Sequence, residues 1–252
     1  MIKYPKEVIL IDLDNTLTDT EGNSCAAMRS MYNELGLSAQ FPPFESFWNV
    51  YSTCNDDLWG RYRQGTLSRE RLNELRFTWP MALMGVEDET LAARICEVFY
   101  KYFLPMTGTV PGAYELLDYL SQKYRLAVLS NGTKSSQIVK MRNFRFEPYF
   151  EKVYLSDDIG YPKPDVRIFQ YALNDMGVNP ESALMIGDDF EGDIVGAANA
   201  GIEQVWLQDG HLPIVSEGRR SDTHTFLRQK SQRSAPLPSV PFLSKASPGR
   251  LP

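Results

Sequence analysis

The stretch EVILIDLDNTLTD (residues 7–19) joins an apolar run to two aspartates, Asp12 and Asp14. Side chains alternate along a strand, so a strand here would point Asp12 and Asp14 to the same side. Burying two neighbouring carboxylates costs free energy through desolvation and repulsion unless a cation or a shared proton compensates. The alternative is a strand-end turn built on Asp14-Asn15. The stretch therefore predicts a buried strand that ends either in functional acids or in a turn.

Four further apolar runs have the length of buried strands: RLAVLS (125–130), EKVYLS (151–156), SALMIG (182–187) and EQVWLQ (203–208). Helical periodicity appears between them in GAYELLDYLSQKY (112–124) and PDVRIFQYALNDMG (164–177), where Pro164 suits a first turn and Gly177 a C-terminal end. Strands that alternate with helices favour a parallel sheet covered on both faces. We expect an α/β fold with a Rossmann-like, doubly wound parallel sheet.

A helical insertion is predicted between the first two strands. Apolar residues recur at helical spacing in LSRERLNELRF (67–77) and ETLAARICEVFYKYF (89–103). We expect a discontinuous core of residues 1–19 and 108–215 and an inserted α-helical subdomain of residues 20–107.

Residues 216–252 depart from this alternation. They are basic and rich in proline and serine, so we expect a largely disordered tail, although THTF (223–226) could form an edge strand. A natural extension and a frame-shifted end are both compatible with this composition.

Composition limits the classes of protein to which the chain can belong. The 252 residues are 43% hydrophobic and 23% charged, and no apolar run approaches the ~20 residues of a membrane span. Three widely spaced cysteines argue for a reducing cytoplasm, and two late histidines argue against a His-based zinc or Ser-His-Asp hydrolase. The net charge of −6 is more negative still before the basic tail, so nucleic acid polymers are poor partners.

Polar residues follow the C-terminal ends of the predicted strands. The first strand leads into Asp12–Thr16 and the second into Ser130-Asn131-Gly132, and the later loops are Gly160–Pro164 and Gly187–Asp193. Ligands of open α/β sheets bind outside the carboxyl ends of the strands, so these four loops are predicted to converge.

The residue types in these loops suggest phosphate chemistry. Asp12, Asp14 and Asp188 offer the hard oxygen ligands that Mg²⁺ prefers. Lys163 can hold a phosphoryl oxygen, and Ser130 with the backbone N–H groups of Asn131 and Gly132 can bind another. One carboxylate can act as a nucleophile and a second can transfer protons.

DLDNTLTD (12–19), LSNG (129–132), YPKPD (161–165) and GDDFEGD (187–193) together resemble, in order, the four motifs of the haloacid dehalogenase superfamily. The resemblance implies that Asp12 is a nucleophile forming an aspartyl-phosphate and that Asp14 is the acid/base. It implies Mg²⁺ bound by the Asp12 carboxylate, the Asp14 main-chain carbonyl and the Asp188 carboxylate. Ser130 and Lys163 match the phosphate-holding positions. Thr16, Asp189 and Asp193 match positions expected behind the metal ligands.

The same resemblance narrows the reaction. An aspartate at position 14 is expected of phosphatases and phosphomutases rather than of carbon–halogen-cleaving members. The insertion resembles a C1-type helical cap. LWGRYRQGTLSRERLNELRF (58–77) resembles the cap of the pyrimidine 5′-nucleotidase branch, which implies a small nucleoside 5′-monophosphate, pyrimidine or non-standard, as substrate. Five cap residues are candidates to contact base or sugar, with a structural role equally open for each: Trp48, Asn49, Trp59, Arg61 and Arg63.

Three alternatives remain open at this point. A sugar-phosphate or phosphoglycolate phosphatase would share every catalytic residue, and so would a β-phosphoglucomutase-type phosphotransferase. A non-catalytic regulatory module that retains a phosphate site belongs to a different class.

Overall fold

The computed structural model describes residues 5–208, which contain a five-stranded parallel sheet in the order β3-β2-β1-β4-β5. The first strand is therefore central, and each predicted apolar run contains one strand. The alternating chain order confirms the α/β fold with a doubly wound sheet. The strands are β1 (Val8–Ile11), β2 (Arg125–Ser130), β3 (Lys152–Leu155), β4 (Ala183–Gly187) and β5 (Glu203–Trp206).

Helices cover both faces of the sheet because side chains of β1 alternate between two apolar clusters. Ile9 and Ile11 pack in a cluster with Leu117 on one face, and Val8 and Leu10 pack in a cluster with Phe169 on the other. The helices of this part of the chain are α5 (Ala113–Ser121), α6 (Lys134–Asn143), α7 (Ser156–Ile159), α8 (Val166–Met176) and α9 (Gly196–Asn199), the last preceded by a π-helical segment, Phe190–Val195.

The insertion between β1 and β2 is helical, as its periodicity predicts. A separate apolar cluster, which includes Met28, Tyr51, Phe77 and Phe99, holds its helices together. The insertion has its own core, which supports the predicted cap, although the exact domain boundaries stay a prediction. Its helices are α1 (Thr20–Glu34), α2 (Phe44–Arg63), α3 (Arg69–Leu83) and α4 (Glu89–Phe103).

The two chain crossings between sheet and insertion lie side by side. The Asn23 side chain donates to Gly108 O (2.8 Å) and accepts from Gly108 N (3.2 Å), and Asp19 N donates to the same carbonyl at 2.9 Å. A Cβ atom on Gly108 would lie 2.6 Å from Asn23 Oδ1. Glycine is therefore required for this close approach at the return crossing.

Helix α8 begins later than its sequence pattern predicts. Asp165 caps it by accepting from Arg167 N at 3.0 Å, so Pro164 precedes the helix rather than occupying its first turn. Aspartate is a strong N-cap, which moves the start beyond the proline. Gly177 ends the helix in the left-handed conformation, as expected.

Some predictions fall outside the described residues: the tail 216–252, the possible strand 223–226 and the last residues of the predicted core. Within residues 5–208, no helix combines the length and apolarity needed to cross a bilayer.

Candidate active site

Asp12 follows the last residue of the central strand, where its N–H donates to Ile186 O of β4 at 2.9 Å. The buried Lys163 approaches this carboxylate from the β3–α8 connection. Its Nζ donates to Asp12 Oδ1 (2.6 Å), Asp193 Oδ1 (2.6 Å) and Leu129 O (2.7 Å). All three ammonium hydrogens have acceptors, and the ion pairs favour the charged amine, so the pKa of Lys163 is raised although burial opposes this. The first, third and fourth predicted loops therefore meet at Lys163.

Three carboxylates surround this position. Oxygen atoms of Asp12, Asp188 and Asp193 all lie within 4.8 Å of one another. Burial raises the pKa of Asp12 to about 7, with Lys163 opposing the increase, and repulsion from Asp193 and Asp14 adds to it. Burial raises the pKa of Asp188 to about 7, and repulsion from Asp12 is the second-largest cause of this increase. One ammonium cannot balance three carboxylates, and this hard-oxygen set fits a divalent cation such as Mg²⁺.

Neighbouring groups hold Asp188 and Asp193 in place. Thr16 Oγ1 donates to Asp188 Oδ1 at 3.0 Å, and Trp206 Nε1 donates to the Asp188 carbonyl at 3.0 Å. The fully buried Asp193 accepts from Asp189 N at 3.1 Å, and burial raises its pKa to about 6, although Lys163 opposes the shift. Asp193, expected behind the metal ligands, thus has its carboxylate inside the acidic cluster.

Asp14 is placed differently from the strand-based expectation. β1 ends at Ile11, and the Asp14 carboxylate is not among the three clustered acids. It accepts from Thr20 Oγ1 (2.6 Å), Gln137 Nε2 (2.5 Å) and Lys140 Nζ. Burial alone would raise the pKa of Asp14, but Lys140 and these hydrogen bonds outweigh burial and lower it. Asp12 and Asp14 therefore face different cations. Of the atoms of Asp14, the main-chain carbonyl oxygen stays a candidate metal ligand and the carboxylate does not.

The second loop is tied to the third through Asn131. Its Nδ2 donates to Lys163 O and its Oδ1 accepts from Lys163 N, both at 2.8 Å. The neighbouring Gly132 N donates to the Ser130 hydroxyl at 3.1 Å. A Cβ atom on Gly132 would lie 1.5 Å from Gln137 Nε2, so a larger residue there would displace the Gln137 side chain. The side chain of Asn131 thus positions Lys163, while Ser130 lies buried at the end of β2.

Two arginines of the insertion contact the site loops. Arg69 Nη2 donates to Asn131 O at 2.5 Å, and its Nε lies 3.2 Å from Asp157 Oδ1. Arg63 lies 3.1 Å from Asp189 Oδ2, so Asp189, whose Oδ1 caps the π-helical segment, also contacts the insertion. These contacts bring the predicted cap against the second and fourth loops.

The other sequence candidates of the insertion do not reach the loops through the contacts that the structure describes. Trp48 packs against the core of the insertion, and Asn49 is exposed. Arg61 pairs with Asp57 at 2.7 Å within α2, and Trp59 lies under the Arg69 guanidinium at 4.8 Å. Among the contacts of residues 5–208, Arg63 is thus the one of the five candidates that reaches a site loop.

Sequence reasoning missed five residues whose side chains contact site residues: Thr20, Arg69, Gln137, Lys140 and Trp206. Gln137 and Lys140 are both buried and lie three positions apart on α6, directly after the second loop. That spacing puts them on one helix face. Two polar residues on one face beside a candidate site could have suggested the contact with Asp14.

Comparison with known proteins agrees with this architecture. Residues 9–207 match the family model of haloacid dehalogenase-like hydrolases. The pyrimidine 5′-nucleotidase PynA of Streptococcus pneumoniae is 30% identical over 81% of this chain and 84% of its own length. The phosphoserine phosphatase of Thermus thermophilus is 40% identical over 82% and 90%, respectively. The fold is similar to the solved HAD-hydrolase YfnB of Bacillus subtilis (TM-score 0.75, 24% identity, covering 81% of this chain and 89% of that one). The chain therefore belongs to the haloacid dehalogenase-like hydrolase family and is an enzyme of its phosphatase type.

Proposed function

We propose that this enzyme is a Mg²⁺-dependent phosphomonoester hydrolase that works through an aspartyl-phosphate on Asp12. The observation that carries the proposal is the buried Lys163 ammonium, 2.6 Å from both Asp12 and Asp193. It holds the candidate nucleophile in place at the carboxyl edge of the sheet. The same ammonium supplies positive charge where a phosphoryl group would approach Asp12.

The proposed reaction has two displacements at phosphorus. A carboxylate oxygen of Asp12 forms a bond to phosphorus as the bond to the alcohol oxygen breaks, and Asp14 gives that oxygen its proton. A water molecule then attacks the aspartyl-phosphate and loses its proton to Asp14. The bond between phosphorus and Asp12 breaks, which releases inorganic phosphate and restores both carboxyl groups. Ser130 and the N–H groups of its loop bind the non-reacting oxygens.

The carboxylates of Asp12 and Asp188 and the main-chain carbonyl of Asp14 would hold the metal ion. When bound, Mg²⁺ supplies positive charge that offsets the repulsion among the acids and the charge of the phosphoryl group. The Asp193 carboxylate lies in the same cluster but is shared with Lys163, so we assign it the role of fixing that lysine.

Nucleoside 5′-monophosphates, pyrimidine or non-standard, are the proposed substrates. The resemblance of residues 58–77 to the nucleotidase cap supports this choice, as does the 30% identity with a pyrimidine 5′-nucleotidase. We take α1–α4 as the cap that covers the leaving nucleoside, with Arg63 and Arg69 holding it against the loops. The 40% identity with a phosphoserine phosphatase supports a second candidate, a smaller phosphorylated metabolite.

The test is phosphate release from a panel of phosphomonoesters, assayed with Mg²⁺ and with EDTA. The panel holds UMP, dUMP, dTMP, IMP, AMP, phosphoserine, phosphoglycolate, glucose 6-phosphate and β-glucose 1-phosphate. Release that needs Mg²⁺ and favours pyrimidine nucleotides is the expected result. A preference for phosphoserine, phosphoglycolate or a sugar phosphate would retain the mechanism and reject the nucleotide.

The Asp12→Asn variant tests the nucleophile. We expect turnover to fall by at least about 10³-fold, as for other residues that act directly on the reacting atom. Asp118→Asn, at an exposed acid of α5, is the matched control and should retain activity. An active Asp12→Asn enzyme would reject the aspartyl-phosphate. Transfer of phosphate to a sugar would indicate a phosphotransferase, and a folded chain that binds Mg²⁺ yet hydrolyses nothing would indicate a regulatory module.

A further inference from the structure

A cavity of about 440 Å³ lies between the insertion and helix α6. Its lining includes the apolar side chains of Phe77, Leu104 and Val139 and the hydroxyl-bearing side chains of Thr133 and Ser136. Thr133 is only three positions after Ser130. The cavity therefore begins beside the proposed phosphate loop.

Arg76 of α3 lines this cavity and has no carboxylate partner within the part of the chain that the structure describes. Its Nε donates to Tyr51 Oη at 3.0 Å and its Nη1 to Tyr100 Oη at 2.9 Å. Its guanidinium also lies 5.7 Å from the Phe99 ring centre. Among residues 5–208, no carboxylate lies within the 4.0 Å of an ion pair with it, and no hydrogen bond from Nη2 is described. The aromatic rings stabilise the guanidinium, and its half-buried position in the cavity wall leaves it accessible to the anionic group of a ligand.

The position of Arg76 on its helix connects the cavity with the reaction centre. Arg69, Asn73 and Arg76 follow one another at i, i+4 and i+7, so they share one face of α3. Arg69, at one end of this row, donates to the Asn131 carbonyl in the phosphate loop. Asn73, in the middle, lines both this cavity and a shallower depression that Arg69 also lines. Seven positions of an α-helix span about 10 Å along its axis. Arg69 contacts the phosphate loop, so the Arg76 cation lies about that distance farther along α3.

We propose that Arg76 is a specificity-determining residue that binds a carboxylate at the end of the substrate remote from its phosphate. This inference rests on the proposed phosphomonoester hydrolysis and refines its substrate. Nucleotides with an acidic substituent on the base, and phosphorylated sugar acids, both meet the requirement. A guanidinium recognises a planar carboxylate through paired hydrogen bonds, and the apolar lining residues accommodate the carbon skeleton between the two anionic groups.

A matched pair of substrates isolates the carboxylate. 6-Phosphogluconate and glucitol 6-phosphate differ only at the carbon farthest from the phosphate, which is a carboxylate in one and an alcohol in the other. We expect the wild-type enzyme to favour 6-phosphogluconate in kcat/KM. Arg76→Gln should reduce this ratio by about ten- to hundred-fold, the range of a lost charge-assisted hydrogen bond. The control variant Arg71→Gln alters an exposed arginine of the same helix. It should keep the wild-type ratio of kcat/KM between the two substrates.

Further measurements separate recognition from folding. p-Nitrophenyl phosphate carries no carboxylate, so its hydrolysis should change little in Arg76→Gln if the fold is intact. Arg76→Lys retains the charge and should retain part of the preference. An unchanged ratio of kcat/KM in a folded Arg76→Gln enzyme would overturn the assignment.

Gluconate, which has no phosphate, tests the cavity independently of hydrolysis. We expect gluconate to raise the Tm of the wild type and not of Arg76→Gln. An equal shift in both proteins would overturn the site. Gluconate could raise the Tm only when Arg76 is present while Arg76→Gln leaves the kcat/KM ratio of the two substrates unchanged. That result would overturn the proposal that Arg76 binds the carboxylate of the substrate. If no phosphomonoester is hydrolysed, the proposed function fails, while the gluconate shift still decides the role of Arg76.

Discussion

Lys140 Nζ donates a hydrogen bond to Asp14 Oδ1, across 126 positions of sequence. Both groups lie close to the phosphate loop, because Lys140 belongs to the helix that follows Ser130-Asn131-Gly132. The contact lowers the pKa of Asp14 despite its burial, so the carboxylate is ionised in this arrangement. The proposed acid, however, must carry a proton when the alcohol leaves. Lys140 therefore opposes the acid role of Asp14, while it keeps the carboxylate deprotonated, the form in which Asp14 later accepts the proton of water.

Replacing Lys140 by Met should raise the pKa of Asp14, because the charge that stabilises the anion is removed. We expect the alkaline limb of the kcat profile to move to higher pH, while Lys140→Arg should keep the wild-type profile.

The Lys140→Met substitution should also lower the stability of the fold at neutral pH. A lowered carboxyl pKa stabilises the fold above the ordinary value of 3.8 and not below the shifted one. The variant should therefore be less stable near neutral pH, and the difference should shrink in acid. Identical profiles would show that Lys140 has no influence on Asp14.

The acidic cluster predicts how pH and Mg²⁺ together affect stability. The pKa of Asp12 and of Asp188 is raised to about 7, so without metal their contribution to stability is present in acid and lost as pH rises through that value. Mg²⁺ binds the deprotonated oxygens, so its stabilisation should be larger at about pH 8 than at about pH 5.5. At one hundred times Kd it should reach about 2.7 kcal/mol.

Thermal unfolding with Mg²⁺ and with EDTA at both pH values measures this effect. Asp188→Asn should lose most of the response to Mg²⁺, because it removes a proposed ligand. A response to Mg²⁺ that is equal at both pH values would contradict the assignment of the metal to these carboxylates.

The contact of Arg69 with Asn131 predicts a kinetic effect of the insertion on the core. Arg69→Met removes the hydrogen bond to the Asn131 carbonyl and the pairing with Asp157. We expect kcat/KM to fall by about ten- to hundred-fold, as for other charge-assisted contacts. Arg71→Met, on an exposed part of α3, should behave like the wild type. Unchanged kinetics in Arg69→Met would indicate that this contact does not position the phosphate loop.

The position of Gly187 predicts a steric effect at the acidic cluster. A Cβ atom there would lie 2.1 Å from Asp193 Oδ2, so Gly187→Ala must displace the carboxylate that holds Lys163. Overpacking of this kind costs about 1–3 kcal/mol, and activity should fall with it. Gly60→Ala is the control, because among residues 5–208 the added carbon meets nothing within 4 Å apart from its chain neighbours and its own helix, and alanine favours the helix. Urea unfolding and kcat would measure both effects, and a stable, fully active Gly187→Ala enzyme would show that Asp193 can move freely.

The sequence by itself determined the parallel sheet, the helical insertion and the four loops that hold the proposed reactive groups. These features are local, since strand and helix periodicity and the turn residues after each strand are readable from neighbouring positions. The convergence of Asp12, Lys163 and Asp188 also followed, because parallel strands align their carboxyl ends at one edge.

Only the tertiary structure decided which cation each acid faces. The alternation of β1 predicted Asp12 and Asp14 on one side, but the strand ends at Ile11 and Asp14 pairs with a lysine from α6. The sequence also did not predict the contact of Arg69 with the second loop, or that Arg76 has no carboxylate partner among residues 5–208. Such contacts join residues that are far apart in the chain, and their partners are chosen by how helices pack rather than by any local periodicity.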